Sequence, residues 1–392
     1  MNHYRYLIVG GGMTGDAAVR GIRELDAEGS IGMFSAEPDP PYSRPSLSKG
    51  LWKGKPFEKI WRGTTNLGVE LHLNRRITEL DKKQKRILDE TGAEYTYDKL
   101  LLATGGSPIR LPFGDHNIIY FRDLQDYKRL RQLADSREHF LVIGGGFIGS
   151  EISAALTMSG KKVTMVFLDD AIGARIFPKD LSQFLNDYYR QKGVEVIVGD
   201  SVVSLTESGS RFTVRTGAGK SLEVNGVVAG IGIRPNVELA RSAGIRIDDG
   251  IVVNHKLLTS AKDVYAAGDA AMFPHPTLAR HVRVEHEDNA LRMGKAAGRN
   301  MAGANEIYSH VPLFYSDLFE LGYEAVGELD SRLETFADWQ EPFKKGVIYY
   351  LEKKHVRGVL LWNIWKQGDA ARALLAEKGP LTPKDLQGKI HD

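Results

Sequence analysis

The chain has 392 residues, 42% of them hydrophobic and 26% charged, which is the composition of a soluble globular protein with two or three domains. Its formal net charge of +2 is too small to argue for nucleic acid as the main partner, and no stretch approaches the roughly 18 to 20 apolar residues of a membrane span. The absence of cysteine excludes disulfides, thiolate metal sites and CxxC redox chemistry, and we expect no metal site of another kind.

The first predicted element is a strand that leads into a glycine turn and a helix. Residues 6–9 form a short apolar run, GxGxxG follows with Gly10, Gly12 and Gly15, and small and apolar residues then recur at helical spacing. Because the strand begins almost at the first residue, we expect no signal peptide and a cytoplasmic protein.

The same layout recurs at residues 139–160, with glycines at Gly144, Gly146 and Gly149. In a dinucleotide-binding fold the first glycine makes the turn, the second lets backbone amides approach a diphosphate, and the third packs helix on strand. The helix N-terminus adds partial positive charge beside the phosphates. One such motif is weak evidence. Two copies, each between a strand and a helix, predict two dinucleotide sites rather than glycine turns of an unrelated α/β fold.

A mixture of strands and helices is predicted for the rest of the chain. Residues 163–167 are typical of the strand that follows the second glycine motif, and residues 204–224 alternate like a hairpin. A helix is predicted near 285–303. From about residue 309 several strand patterns precede a final helix, with no third nucleotide loop, so we predict three domains.

Six separated motifs occur in an order that is typical of one family. They are YSRPSLSKGLW (42–52), LLLATGGSPIRLP (100–112), IGGGFIGSE (143–151), GIGIRPN (230–236), DVYAAGDAA (263–271) and VEHEDNALRMGKAAGRNM (284–301). Together they resemble the FAD-dependent pyridine-nucleotide oxidoreductases with two dinucleotide-binding domains. Within that family the resemblance is to the ferredoxin reductases of oxygenase systems together with apoptosis-inducing factor, and it covers essentially the whole chain.

The resemblance implies an α/β fold with two Rossmann-like domains and a C-terminal α+β domain, the architecture of glutathione reductase. The expected FAD-binding domain comprises residues 1–112 and 243–308, and the NAD(P)H-binding domain, residues 113–242, interrupts it. Residues 309–392 form the expected C-terminal domain. FAD would bind at the first glycine loop and NADH, or less readily NADPH, at the second.

The resemblance also implies which residues contact the cofactors. They are Gly10, Gly12, Gly15, Glu37, Arg44, Lys49, Ala103, Thr104, Gly105, Arg122, Gly144, Gly146, Phe147, Ile148, Gly149, Asp169, Gly232, Gly268, Asp269, Glu285, His286 and Tyr315. Arg44 would reach the FAD diphosphate, with Pro41 and Pro45 fixing an extended entry to it. Arg122 would either reach the FAD or be a solvated cation at a helix start.

Acidic residues after the second strand of each dinucleotide unit bear on cofactor choice. Such an acid hydrogen-bonds an adenosine ribose, whereas arginine there accepts a 2′-phosphate. Glu37 is the candidate in the first unit, although the more usual position is Ala36. Asp169 is the candidate in the second, two residues after the common position at Phe167. No Arg or Lys lies between residues 166 and 170, which favours NADH over NADPH, unless the acids there merely form a solvated turn.

Lys49 and Glu151 are the predicted catalytic residues. The resemblance implies that they meet beside the flavin, where the ammonium favours the reduced flavin and the carboxylate holds the ammonium. The alternatives are a surface lysine and a first-turn helix acid. Glu285 and His286 would begin a helix aimed at the flavin. Tyr315 would shield the flavin, as in monodehydroascorbate reductases, or be an aromatic residue of the third domain's core.

The predicted reaction is hydride transfer from NADH to FAD. Because the chain has no cysteine, electrons must leave the flavin directly, which suits a one-electron acceptor. A ferredoxin- or rubredoxin-type protein is the first expected acceptor, and the basic segment 49–63 would dock it or would be a solvated loop. A quinone or monodehydroascorbate is the second. A redox sensor like apoptosis-inducing factor, controlled by NADH-dependent homodimerisation, is the third, although that protein's long C-terminal insertion and targeting segment are missing here.

Overall fold

The computed structural model describes residues 2–377 and 379–390. These residues form two compact units. The first unit contains residues 2–44, 56–107 and 234–312, and the second contains residues 45–55, 108–233, 313–377 and 379–390. The predicted boundaries between three domains stay a prediction. Among the described residues no helix is long and apolar enough to cross a membrane.

The secondary structure alternates strands and helices, as the sequence predicts. The strands are β1 (Asn2–Val9), β2 (Ile31–Phe34), β3 (Glu70–His72), β4 (Ile77–Asp81), β5 (Arg86–Asp89), β6 (Glu94–Leu102), β7 (Gly106–Pro108), β8 (Ile118–Tyr120), β9 (His139–Ile143), β10 (Lys162–Phe167), β11 (Val194–Val198), β12 (Val202–Ser208), β13 (Arg211–Thr216), β14 (Ser221–Val224), β15 (Gly226–Ala229), β16 (Ile233–Pro235), β17 (Ile251–Val252), β18 (Val264–Ala266), β19 (Ala271–Pro274), β20 (His281–Arg283), β21 (Leu313–Leu318), β22 (Leu321–Gly327), β23 (Glu334–Glu341), β24 (Lys345–Glu352) and β25 (His355–Trp362). The α-helices are α1 (Met13–Arg23), α2 (Leu124–Ser136), α3 (Phe147–Met158), α4 (Lys179–Gln191), α5 (Glu238–Ser242), α6 (Glu287–Met301), α7 (Gly368–Ala376) and α8 (Pro383–Leu386).

The first unit is built on a mostly parallel sheet. Strands β3, β2, β1, β6 and β18 run parallel, and β5 and β4 extend the sheet antiparallel from β6. The last four residues of β1 are all buried, as expected for a strand with both faces covered. Helix α6 packs on α1 through two glycines: a Cβ at Gly294 would lie 2.4 Å from the carbonyl oxygen of Thr14, and one at Gly298 would lie 2.0 Å from that of Ala18.

The second unit contains a parallel sheet of its own, with strand order β11, β10, β9, β15 and β8. The hairpin predicted for residues 204–224 is confirmed as β12 and β13, and β14 adds a third antiparallel strand. The C-terminal part forms an antiparallel sheet in the order β21, β22, β25, β24 and β23. Strands β21 and β23 therefore form the two opposite edges of that sheet.

The segment PYSRPSLSKGLW, residues 41–52, differs from its prediction. We expected an extended entry, but Arg44–Leu47 and Gly50–Lys53 are 3₁₀ turns. The fixed φ of Pro45 suits the first turn of a helix as well as an extended chain, so proline alone did not discriminate. The boundary between the units also falls here, because Arg44 belongs to the first unit and Pro45 to the second.

Candidate cofactor and redox site

The first glycine loop lies in the first unit, between β1 and α1. Gly10 has φ +127°, and a Cβ there would lie 2.0 Å from the carbonyl oxygen of Ala103. A Cβ at Gly15 would lie 2.2 Å from the carbonyl oxygen of Gly10. Both positions therefore require glycine. A Cβ at Gly12, the N-cap of α1, would meet no heavy atom of another part of the described chain within 4 Å, so the space before this helix is open.

The second glycine loop repeats this geometry in the second unit, between β9 and α3. Gly144 has φ +116°, and a Cβ there would lie 2.4 Å from the carbonyl oxygen of Gly230. A Cβ at Gly149 would lie 2.0 Å from the carbonyl oxygen of Gly144. Gly146 is the N-cap of α3, and among the described residues no distant heavy atom lies within 4 Å of a Cβ built there. At each loop, open space lies in front of a helix N-terminus, and a side chain at the N-cap glycine would fill it. Such a space beside free N–H groups fits a diphosphate.

Strand ends gather around the first loop. The N–H of Ala103 donates to the carbonyl oxygen of Val9 at 2.8 Å, which keeps the end of β6 beside the end of β1. Gly268 has φ +76°, and a Cβ there would lie 2.3 Å from Oγ1 of Thr14, in the first turn of α1. The predicted residues around this loop are Gly10, Gly12, Gly15, Ala103, Thr104, Gly105, Gly268 and Asp269. They lie at the carboxyl ends of parallel strands, where open α/β sheets bind ligands.

Glu37 and Arg44 contact each other directly. Nη2 of Arg44 donates to Oε1 of Glu37 at 2.6 Å, and the Tyr42 hydroxyl donates to Oε2 at 2.6 Å. Burial would lower the pKa of Arg44, but the charges of Tyr42, Glu37 and Asp269 outweigh it and raise that pKa. The sequence predicted both residues as FAD ligands without indicating that they pair.

The two dinucleotide units can be aligned through Gly11 and Gly145, the glycines that stand between the first two glycines of each GxGxxG motif. A Cβ at Gly11 would lie 2.4 Å from the Cβ of Ser35, just after β2. A Cβ at Gly145 would lie 2.8 Å from the ring of Phe167, at the end of β10. Ser35 and Phe167 are therefore structurally equivalent, and each packs under its glycine loop.

The alignment places the two predicted acids at equivalent positions. Glu37 and Asp169 each lie two residues after the residue that packs under the loop, so they occupy the same place in the two units. The two usual acid positions, Ala36 and Phe167, do not correspond to each other, because Ala36 corresponds to Leu168. The predicted acid therefore stands at the same structural position in both units, two residues after the residue that packs under the loop.

Arg175, which the local sequence pattern does not connect with the acid position, lies beside Asp169. Nε of Arg175 is 3.3 Å from Oδ2 of Asp169, and the two side chains are 81% and 39% exposed. Residues 166–170 contain no Arg or Lys, but the chain returns to this edge five residues later at Arg175. A guanidinium is thus present at the ribose position predicted for the second unit.

Lys49 and Glu151 lie together in the second unit. Nζ of Lys49 is 2.8 Å from Oε1 of Glu151, and the side chains are 13% and 3% exposed, so neither is a surface group. Glu151 is the fifth residue of α3 and lies beyond its first turn. The hydroxyls of Ser48 and Ser316 also donate to the Glu151 carboxylate, and Nζ of Lys49 lies 5.2 Å from the centre of the Tyr315 ring. No local pattern indicated either serine.

The negative charge of Glu151 acts on two buried tyrosines. Burial and the charge of Glu151 raise the pKa of Tyr189 and the pKa of Tyr323 well above the ordinary value. Both phenols therefore stay neutral in the physiological range, and Lys49 is the cation that lies against this carboxylate.

The remaining predicted residues are distributed over both units. Phe147 and Ile148 open α3, and the Phe147 ring packs on the ring of Phe314 with centres 6.0 Å apart. In the same unit Arg122 precedes the N-cap of α2, and Gly232 has φ +100°. In the first unit His286 is the N-cap of α6 and is preceded by Glu285, which accepts a hydrogen bond from Arg283. Their contacts with cofactors stay predictions.

Comparison with known proteins decides the family. Residues 4–294 match the model of the pyridine nucleotide-disulphide oxidoreductase family. The chain belongs to this family. Residues 297–342 and 337–377 match the C-terminal domain of apoptosis-inducing factor. The oxidoreductase is an NAD(P)H-dependent flavoprotein enzyme, its cofactors are FAD and NAD(H), and both glycine loops fit such dinucleotides. Despite the family's description, it has no cysteine with which to form a redox disulphide.

Similar proteins come from three functional groups. Mitochondrial apoptosis-inducing factor 1 of Dictyostelium discoideum is 33% identical, over 100% of this chain and 81% of that protein. The ferredoxin reductase subunit of the 5,5'-dehydrodivanillate O-demethylase of a Sphingobium species is 33% identical, over 96% of this chain and 94% of that one. Monodehydroascorbate reductase 3 of Arabidopsis thaliana is 31% identical, over 96% and 93%. The solved complex of putidaredoxin reductase with putidaredoxin gives a TM-score of 0.90 at 27% identity, over 98% of this chain and 95% of that one.

Replacing Asp169 with asparagine is expected to weaken the predicted preference of the oxidoreductase for NADH. The variant removes the carboxylate predicted to hold the ribose and frees Arg175 to accept a 2′-phosphate. We expect KM to rise about tenfold for NADH and to fall for NADPH, as loss of one charged hydrogen bond implies. Asp170→Asn, which changes the neighbouring exposed acid, is the control. An unchanged ratio of kcat/KM values for the two nucleotides would contradict the assignment of Asp169.

Proposed function

We propose that this oxidoreductase transfers electrons from NADH, by way of bound FAD, to a ferredoxin- or rubredoxin-type iron–sulfur protein. The observation that carries the proposal is the full-length similarity to ferredoxin reductases, one of which was solved in complex with its putidaredoxin. The lack of cysteine supports it, since no dithiol can receive the electrons. When bound, FAD supplies the chemistry by accepting a hydride and releasing electrons one at a time.

The residues of this chain would bind the cofactors and set the local charge. The loops ending at Gly12 and Gly146 would hold the FAD and NADH diphosphates at the N-termini of α1 and α3. Lys49 would place positive charge beside the flavin ring, and Glu151 would hold that ammonium and offset the cost of its burial. We also propose, from the sequence, that the enzyme prefers NADH to NADPH, that it is cytoplasmic and that it forms a homodimer.

Lys49→Ala is expected to slow reduction of the bound flavin by NADH about tenfold and to lower the flavin midpoint potential, because a positive charge that favours the reduced form is lost. Stopped-flow absorbance under anaerobic conditions measures the rate. Lys53→Ala is the control, since Lys53 lies in the same segment and is paired with Asp317 at 3.0 Å. A Lys49→Ala variant with the parent's rate and potential would show that Lys49 does not act on the flavin.

We infer that docking does not involve the whole basic segment 49–63. Arg62 is paired with Asp16 at 2.6 Å within the first unit and is only 19% exposed. Lys53 is exposed in the second unit, and the guanidinium of Arg131 lies 4.7 Å from the centre of the Trp52 ring. We therefore assign docking of an acidic partner to the exposed Lys53 and the half-buried Arg131 beside Trp52 and not to the whole segment.

The deciding experiment is anaerobic reduction by NADH or NADPH followed by a panel of acceptors. The proposal expects cytochrome reduction to depend on an added ferredoxin or rubredoxin and to weaken as salt is raised. Lys53→Glu should slow that coupled rate and leave direct ferricyanide reduction unchanged. Lys344→Glu is a matched control, because Lys344 lies in the turn between β23 and β24, far along the C-terminal sheet from Asp317 on edge strand β21. Equal rates with no iron–sulfur protein would reject the proposed acceptor.

Monodehydroascorbate reduction is the second candidate. A tyrosine at position 315 is typical of those enzymes, and its ring lies beside Lys49. An Arabidopsis monodehydroascorbate reductase is 31% identical to this chain. Rapid turnover with monodehydroascorbate or a quinone alone would favour this candidate. A long-lived charge-transfer complex with NADH, together with a shift to dimer, would instead favour a redox sensor like apoptosis-inducing factor, to which the chain is similar along its whole length.

A further inference from the structure

The Glu151 carboxylate is held on both of its oxygens by side chains from two separate segments of the chain. Oε1 accepts from Nζ of Lys49 at 2.8 Å and from Oγ of Ser316 at 2.5 Å. Oε2 accepts from Oγ of Ser48 at 2.6 Å. Ser48 precedes Lys49, Glu151 lies on α3, and Ser316 lies on β21. All of these residues belong to the second unit.

The two serine hydroxyls are the donors in these hydrogen bonds, because they are buried and their partner is a carboxylate. Ser48 is 6% exposed and Ser316 is 1% exposed, so each hydroxyl needs a protein partner. An ionised carboxylate only accepts, and each serine must therefore donate to it. Two serine donors and one ammonium N–H satisfy Glu151, which leaves the other two N–H groups of Lys49 for further partners.

The serines also restrict where Lys49 can lie. Because Ser48 and Lys49 are neighbours in the chain, the Ser48 hydrogen bond fixes the backbone that carries the lysine. Because Ser316 follows Tyr315 on β21, its hydrogen bond holds Glu151 against the strand whose tyrosine ring lies beside Nζ of Lys49. Without them the Glu151 carboxylate would lose two of the three hydrogen bonds that fix its orientation beside Lys49.

We propose that Ser48 and Ser316 are positioning residues that fix the Glu151 carboxylate in the orientation that aims Lys49. The proposal rests on the proposed function, in which Lys49 acts on the flavin. It assigns to each serine an effect on flavin chemistry that is exerted only through Glu151 and Lys49.

Ser48→Ala and Ser316→Ala are each expected to slow flavin reduction by NADH about threefold to tenfold and to lower the flavin midpoint potential, in the direction expected for Lys49→Ala. Ser153→Ala is the matched control. Ser153 lies on α3 two residues after Glu151 and is fully buried, and its hydroxyl has no hydrogen-bond partner in the described part of the chain. Its removal should change neither rate nor potential. Ser48→Thr keeps a hydroxyl and should restore most of the loss.

The test is repeated in a Lys49→Met background, because residues that act through one another are not additive. We expect the serine variants to cause no further change in rate or potential there. Parent behaviour of the double serine variant, or an equal loss in both backgrounds, would overturn the proposal. FAD content and unfolding are measured for every variant, and Ser48→Ala alone decides the test if Ser316→Ala does not fold.

The midpoint potential is measured by reductive titration without NADH. A parent protein that NADH cannot reduce would refute the proposed function, while the potentials of the serine variants would still test their positioning role. A parent that NADH reduces, with serine variants that match it in rate and potential, would refute only the positioning role.

Discussion

Replacing Asp16 with alanine is expected to lower the free energy of unfolding by about 3 to 5 kcal/mol, the usual cost of removing one partner from a buried ion pair. Asp16 lies in the first turn of α1, and its side chain is fully buried. Its carboxylate accepts from Nε of Arg62 at 2.6 Å, from Nε of Arg20 at 3.0 Å and from Oγ1 of Thr64 at 2.7 Å. Arg20 is 41% exposed and can turn to water, whereas Arg62 is only 19% exposed and would be left partly buried without a counter-charge.

This loss of stability should reach the cofactor site, because Gly12 and Asp16 belong to the same helix start. Chemical denaturation gives the free energy, and the fluorescence of released FAD reports dissociation from the variant. Asp98→Ala is the control: the Asp98 carboxylate lies 3.5 Å from the His3 ring, both side chains are exposed, and we expect a change of no more than about 0.5 kcal/mol. A loss below about 1 kcal/mol for Asp16→Ala would mean that the first unit tolerates an unpaired Arg62.

Gly146→Val is expected to weaken NADH binding about a hundredfold, or roughly 2.7 kcal/mol, with little change in stability. The residue has φ −86° and ψ −165°, an extended conformation that valine adopts readily. A Cβ there meets no distant atom of the described chain within 4 Å, so the fold accommodates the side chain. The added methyl groups would instead fill the space before the α3 N-terminus and keep a diphosphate from its N–H groups. Titration of the holoenzyme with NADH measures the dissociation constant.

Two further glycine variants separate binding from folding. Gly149→Val should destabilise the second unit, because a Cβ at Gly149 would lie 2.0 Å from the carbonyl oxygen of Gly144. Gly12→Val should reduce FAD retention in the first unit and leave NADH contacts intact. If Gly146→Val binds NADH as tightly as the parent does, the second loop is not the NADH site.

Local patterns in the sequence predicted much of the fold. The strand, glycine turn and helix of each dinucleotide unit, the hairpin beginning at β12 and the helix α6 were all recognisable, because hydrophobic periodicity and glycine spacing are properties of neighbouring residues. The meeting of Lys49 with Glu151 was implied by family resemblance, not by any local pattern. The 3₁₀ turns at residues 44–53 were missed, because proline suits both an extended chain and a first helical turn.

The amino-acid sequence was enough to identify the two glycine loops, the lack of a cysteine redox centre and the family of flavoprotein enzymes. Only the tertiary structure showed that Ser48 and Ser316 hold Glu151, that Arg62 is bound by Asp16, and that Arg175 returns to Asp169. Ser316 is 165 residues from Glu151, and Arg62 is 46 residues from Asp16. Partners at such separations are chosen by the packing of whole sheets and helices and by the cost of burying an unpaired charge or hydroxyl, and neither leaves a local pattern in the sequence.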